Sequence, residues 1–291
     1  MVKPAQFLVC LICTVLGSGV VLAADPAHSI VPHRIVSANL CADQLLLAFA
    51  DPDQIASLSP LATDVQLSYL ADAATSYPRN RGSGEDIVRL DADLVLTGPY
   101  DSRMTRALLA ARNVPFEIVS PWSDFDTGEA SLRQLATRLG HPERADGLIA
   151  QIEAARGRAR NLVSKKGSAP TALSLHRRGY VFHAGLTGAI VADAGLGDAA
   201  TKIGLQGAGF VSLEALVAAH PDYLIVSDAD GGSETGAEDQ GQAFLQHPAL
   251  QQIWPRARRL VVPDRLNLCE GPATPALIDT LATQIHEKVM R

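Results

Sequence analysis

Aromatic side chains make up only 5% of this chain, so any aromatic on a loop that could face a ligand stands out. There is no excess of positive charge. The formal net charge is −6, which argues against a nucleic-acid partner. No Gly-x-Ser-x-Gly elbow, phosphate loop or His-Glu-x-x-His helix occurs, so the common marks of an esterase, a nucleotide enzyme or a metalloprotease are missing. Gly204 to Gly209 is glycine-rich, but it does not follow a strand as a dinucleotide loop would. A His-rich tract of the kind that captures free zinc is also absent. Cysteine is scarce: there are four, and Cys10 and Cys13 fall in an N-terminal apolar run.

What is present begins with that run. Lys3 is followed by the apolar stretch Phe7 to Val15 and by small residues up to Ala24. This is the pattern of an export signal, here assigned to 1–24, with cleavage after Ala23 or Ala24. The exported chain keeps only Cys41 and Cys269. Three states are open to them: free packed thiols, a disulfide, or contact with a ligand or soft metal.

The whole chain of 291 residues, 47% hydrophobic and 19% charged, has the composition of a globular protein large enough for two domains. Pro142 to Val163 is expected to be one long helix. Pro142 suits the first turn, Glu143 and Asp146 lie near its start, and Arg156, Arg158 and Arg160 lie near its end. Leu148, Ile152, Ala155, Ala159 and Leu162 form its apolar stripe. Strands alternate with helices on either side, which predicts an N-terminal lobe over 34–140, a linking helix over 141–165 and a C-terminal lobe over 170–291. The predicted fold is α/β: two similar lobes with mostly parallel central sheets, joined by one rigid helix, with a ligand cleft between them. In such sheets ligands bind beyond the carboxyl ends of the strands.

One unit occurs once in each lobe. Glu85-Asp86-Ile87-Val88 is followed by Asp93-Leu94-Val95-Leu96, and Glu214-Ala215-Leu216-Val217 by Asp222-Tyr223-Leu224-Ile225. In both, the Glu precedes the Asp by eight positions and sits where a helix dipole favours it. This unit, with Arg34-Ile35-Val36-Ser37, Asp43-Gln44-Leu45-Leu46 and Leu58-Ser59-Pro60, resembles the periplasmic substrate-binding proteins of ABC importers for iron–siderophores, heme and cobalamin. The resemblance runs from Arg34 to the C-terminus and is nearest to the cobalamin-binding member.

The resemblance implies a monomeric periplasmic binder with no resident cofactor and no enzymatic activity. Its cargo would be a corrinoid or another metal chelate, and its partner an inner-membrane permease that docks on Glu85 and Glu214. The ligand-facing loops would carry Asn39, Cys41, Tyr77, Arg79, Arg81, Tyr100, Arg103, Trp122, Arg177, Tyr180, Arg265 and Cys269. Aromatics supply flat contact area, and arginines fork onto carboxylates. Tyr77-Pro78-Arg79 also resembles the Tyr-x-Arg that ligates heme iron in heme-binding relatives. The disulfide within the second lobe of the cobalamin-binding relative has no counterpart here. A periplasmic thiol carrier of soft metals and an exported α/β enzyme are the alternatives.

Overall fold

The computed structural model describes residues 31–162, 169–176, 180–181, 186–204, 209–227 and 247–289. The proposed export signal lies outside the described residues. From Val31 onward the chain forms a single compact unit containing two sheets.

In the first half, β1 (Ile35–Ser37), β2 (Ile55–Ser57), β3 (Leu94–Thr97) and β4 (Phe116–Ile118) form an all-parallel sheet in the order β2-β1-β3-β4. β1 and β3 are buried along their whole length, as continuous apolar strands with both faces covered should be. Successive residues serve different layers. Ile35, Leu94 and Leu96 face the large core cluster, whereas Val36 and Val95 join Ile87 and Leu109 in a smaller one. The helices of this half are α1 (Leu40–Phe49), α2 (Ala71–Ala74), α3 (Gly84–Val88), α4 (Arg103–Ala111) and α5 (Phe125–Leu139).

α6 (Pro142–Leu162) is the long helix expected from the sequence. Its 21 residues span about 32 Å at roughly 1.5 Å each. The buried stripe is Ala145, Leu148, Ile149, Ile152, Ala155 and Ala159, whereas Leu162 at the helix end is exposed, a correction to the predicted stripe.

The second half contains β5 (Thr171–His176), β6 (Tyr180–Val181), β7 (Gly197–Asp198), β8 (Gly209–Phe210), β9 (Tyr223–Ser227) and β10 (Arg259–Val262). β10-β9-β5 are parallel and β7 runs parallel to β5, but β6 and β8 join antiparallel, so this sheet is mixed. Its helices are α7 (Leu186–Asp193), α8 (Leu213–Ala219), α9 (Pro248–Ile253), α10 (Asp264–Asn267) and α11 (Thr274–Val289). α11 packs along α6, and the large core cluster draws residues from both halves around this pair, among them Ile35, Leu96, Ile152, Ile225, Leu260 and Leu281.

Two helix starts differ from expectation for a local reason. α4 begins at Arg103 rather than Asp101, because the Asp101 carboxylate turns back to accept from Gly98 and Thr97, leaving Ser102 as the cap. The helix expected over Leu67 to Ala74 shortens to α2, because Asp64 accepts from Leu67 and Ser68 in a separate turn.

Gly147 and Gly157 lie inside α6, and a Cβ at either would touch nothing within 4 Å. Gly147→Ala and Gly157→Ala are each expected to stabilise the protein by about 0.5–1 kcal/mol, since glycine is the poorer helix former. Thermal melting of the two variants checks this; a fall in Tm would mean that α6 needs its glycines for bending.

Candidate ligand site at the strand ends

Each half fixes its carboxyl-end loops with a buried serine–aspartate pair. In the first half, Asp43 of α1 accepts the Ser59 backbone N–H at 2.8 Å and the Ser59 hydroxyl at 2.5 Å. Burial pushes the Asp43 carboxyl up, and the Ser59 and Ser37 donors pull against that. In the second half, the Ser227 hydroxyl at the end of β9 donates to Asp264 at the start of α10, and both residues are buried. In each case the helix leaving one strand is held to the end of its neighbour.

Around the first pair, Asn39 caps α1, its Oδ1 accepting from Cys41 and Ala42 at 3.0 Å, while its Nδ2 donates to Asp101 at 2.8 Å. Asp101 also accepts from Thr97 and Gly98, and Arg106 donates to the carbonyls of Gly98 and Asp101. This network anchors the loop after β3, which leaves Tyr100 88% exposed, with Arg103 and Met104 exposed beside it in sequence. The loop after β2 is anchored by buried Asn80, whose Nδ2 donates to the Ser37 carbonyl and the Ser57 hydroxyl. Leu58 and Arg79 pair as a parallel bridge, so Tyr77-Pro78-Arg79 lies beside the extension of β2. Tyr77 is half-buried against the large core, and exposed Arg79 donates to Thr63 at 2.8 Å. Arg81 and, on α10, Arg265 are exposed.

Three expectations change. Cys41 and Cys269 are bonded to each other, with their Cα atoms 5.1 Å apart. Of the three states open to them, the disulfide is the one present, so the thiols are not free and neither is a soft-metal or ligand donor. Trp122 is 5% exposed and packed on α5, where a Cβ at Gly128 would fall 2.2 Å from its ring; it is core, not a contact surface. Asn39 spends its polar atoms on its own half. Arg177 lies outside the described residues, and of Tyr180 only its place in β6 is described. Among the described residues no cluster of His, Cys, Asp and Glu could hold a metal ion.

The structure gives roles to groups to which the sequence assigned none. Asn80, Asp43 and Asp264 hold the loops. Leu61, Val65, Tyr69 and Met104 add exposed apolar surface on segments leaving β2 and β3. Hydrophobic residues inside stretches rich in polar, Gly and Pro positions were the signal for the latter.

The two repeat units also acquire an account. Glu85 and Glu214 are exposed in the first turns of α3 and α8, helices capped by Ser83 and Ser212. Its own backbone N–H and the Ser212 hydroxyl lower the Glu214 carboxyl, which therefore stays charged. Asp93 accepts the backbone N–H groups of His33 and Arg34 leading into β1, and Asp222 accepts the N–H and hydroxyl of Thr171 at the start of β5. The repeat thus joins an exposed carboxylate to one that staples neighbouring strands.

Two α/β sheets around one shared helix, with braced loops at the strand ends, define a ligand-binding protein of the two-lobed class. The chain belongs to the periplasmic binding protein family, whose model matches residues 35–258. It is similar to the apo form of the periplasmic heme-binding protein RhuT from Roseiflexus sp. RS-1, at 26% identity and TM-score 0.67, over 88% of this chain and 98% of that one. A periplasmic heme-binding protein from Pseudomonas aeruginosa shares the fold at 21% identity and TM-score 0.70, over 88% and 93%. HutB of Vibrio cholerae, also titled a periplasmic heme-binding protein, shares it at 16% and 0.66, over 87% and 98%. Comparison with curated proteins gives no match. The family is one of substrate-binding proteins of class III ABC importers, and it places the chain in the periplasm.

The Asp222 carboxyl is lowered chiefly by the Thr171 backbone N–H. Its stabilising contribution is present above the ordinary carboxylate range, near 3.8, and is lost as pH falls through the lower folded value. Asp222→Asn should cost about 0.5–1.5 kcal/mol at neutral pH and shrink the loss of stability on acidification. Urea unfolding at pH 7 and below pH 4 tests both parts.

Gly128→Ala is expected to destabilise by about 1–3 kcal/mol through overpacking against Trp122, with a shift in its fluorescence. Unchanged melting and emission would refute the buried placement.

Proposed function

We propose that this protein captures heme, or a closely similar iron chelate, in the periplasm and delivers it to an ABC permease. The halves over 34–140 and 170–291 act as two jaws about the linking helix, the 1–24 segment is a leader removed on export, and the protein works as a monomer without turnover. The observation that carries the reading is Tyr77-Pro78-Arg79 beyond the carboxyl end of β2: a half-buried tyrosine and, two positions on, an exposed arginine, on a backbone held by Leu58. A phenolate is a hard oxygen donor suited to ferric iron, and Tyr is an established axial ligand of heme. Arg79 would neutralise the phenolate or a propionate. The exposed apolar residues Leu61, Val65, Tyr69, Tyr100 and Met104 suit a flat macrocycle. Heme-binding proteins among the structural relatives support the same cargo.

Cobalamin is the second reading, favoured by the sequence resemblance. Its amide rim would use the exposed Arg103 and Arg265 as donors and need no phenolate. Titration of the purified protein with hemin and with cyanocobalamin separates the two. Hemin should bind with a charge-transfer band of ferric phenolate, and Tyr77→Phe should abolish that band and weaken binding at least about tenfold, roughly 1.4 kcal/mol. Cyanocobalamin binding more tightly than hemin would reverse the choice.

Docking on the permease would use Glu85 and Glu214, exposed carboxylates at two capped helix starts that can pair with fixed arginines and steer encounter. In permease vesicles, the double variant Glu85→Ala with Glu214→Ala should lose uptake and keep ligand affinity. Lost affinity would count against the docking role.

A further inference from the structure

Three consecutive residues of the second half reach across to the first. Cys269, 3% exposed, is bonded to Cys41 in the first turn of α1. Burial pushes the Glu270 carboxyl up, and the backbone N–H of Trp122, in the segment between β4 and α5, pulls against that. Gly271 has φ 109°, a conformation that suits glycine, and a Cβ there would lie 2.8 Å from Leu45 of α1. Its N–H donates to the fully buried Thr274 at 2.9 Å, which ties the segment to the start of α11. A covalent bond, a polar influence on Trp122's segment and close packing thus fall within three positions. They meet the elements leaving β1 and β4, at the strand ends where the ligand loops gather.

We propose that Cys269-Glu270-Gly271 is a strap that fixes how far the two halves can part at the ligand end, and that its disulfide sets the grip on the ligand. The cross-link and the Glu270 carboxyl are positioning groups: they touch no ligand and act by holding the loops after β1, β4 and β10. The grip part rests on the jaw reading above; the strap itself does not.

The link can be opened by a dithiol reductant. Its thiolate attacks Sγ of half-buried Cys41, since Cys269 is the more enclosed of the two. The S–S bond breaks, and Cys269 leaves as a thiolate and takes a proton. The second thiol of the reductant then displaces Cys41 from the mixed disulfide. The protein gains two electrons and two protons as two thiols, and the reductant becomes a disulfide.

The test compares air-oxidised protein, the same protein reduced with dithiothreitol, and Cys41→Ser with Cys269→Ser. Thiol titration after unfolding establishes the state of each sample; two free thiols in the air-oxidised protein would overturn the proposal. Hydrogen exchange then reads the strap without any ligand. The Trp122 amide should exchange at least tenfold faster in the reduced and double-serine forms, while amides of β3 and β9 keep their protection. Equal exchange at Trp122 in all three samples, or a uniform rise across the fold, would overturn it. Glu270→Ala should speed Trp122 exchange, and Glu270→Gln, whose amide oxygen can still accept, should restore it; equal effects would overturn the role of Glu270. Should the double-serine variant fail to fold, the reduced native chain carries the test. Last, hemin dissociation should be at least fivefold faster from the reduced form. An unchanged rate in a protein that binds hemin would overturn the grip, whereas faster Trp122 exchange in a protein that binds no hemin supports the strap and sinks only the heme assignment.

Discussion

The packing of α6 against α11 is the constraint on which the rest of the molecule depends. Leu148, Ile149 and Ile152 from one helix and Leu277, Ile278, Leu281 and Ile285 from the other are buried in a cluster that also takes Ile35 and Leu96 from the first sheet and Ile225 and Leu260 from the second. Each such side chain returned to water costs about 1.5–3 kcal/mol, so parting the halves along this seam costs on the order of 10 kcal/mol. Micromolar binding of a ligand supplies only about 8 kcal/mol. Separation at the seam is therefore closed to the protein as a working motion, and any opening must turn about α6. Arg156 of this helix is the clearest single joint. Its guanidinium lies 3.8 Å from the centre of the Phe125 ring in α5 and donates to Asp193 in α7 at 2.6 Å, touching both halves at once. With side-chain exposures of 18% and 14%, the Arg156–Asp193 pair is far better shielded than Arg158–Asp279, at 56% and 44%, which is worth little.

A second constraint is repeated rather than shared. Asp93 and Asp222 hold the entry to the neighbouring strand, and the two Ser–Asp pairs, Ser59 with Asp43 and Ser227 with Asp264, hold the exits. Strand starts and strand ends are thereby fixed independently of the loops between them. Loops so anchored can vary in sequence without moving the sheet, which is how one fold accepts different cargoes.

Periodicity and capping made the scaffold legible. Pro142 at the start of α6, the apolar stripe along it and the continuous apolar strands β1, β3 and β9 each carry their structure in local sequence. The two-fold occurrence of Glu and Asp eight positions apart was legible as a pattern, though its use as a staple was not, because the partner of Asp222 is Thr171, 51 residues away. Tyr180 to His183 reads as a strand, and β6 starts there, but its antiparallel pairing has no local mark, and β8, two residues long, carries too little pattern to read. The site was less legible for the same reason. Whether Trp122 faces a groove or a helix depends on Gly128, whose missing side chain makes the space, and nothing in the composition of either segment announces the pair. Cys41 and Cys269 stand in the like contexts Asn39-Leu40-Cys41 and Asn267-Leu268-Cys269, but pairing across 228 residues is a property of the fold.

That pairing changes what an opening about α6 can mean. In the chain-entropy picture, closing a loop of this length stabilises the fold by about 5 kcal/mol, chiefly by restricting the unfolded chain. Its consequence for the folded protein is separate and geometric. Once Cys41 and Cys269 are bonded with Cα atoms 5.1 Å apart, rotation about α6 cannot draw the start of α1 away from the end of α10 by more than the side chains allow. The loops after β2 and β3 carry no such link among the described residues, and they bear Tyr77, Arg79 and Tyr100, with Met104 in the first turn of α4 beyond. Under the strap proposal, entry of a ligand would belong to those loops, with the linked edge as a fixed wall. A large, flat cargo is the kind for which a preset width is useful, because the ordering cost is met when the cross-link forms rather than when the ligand binds.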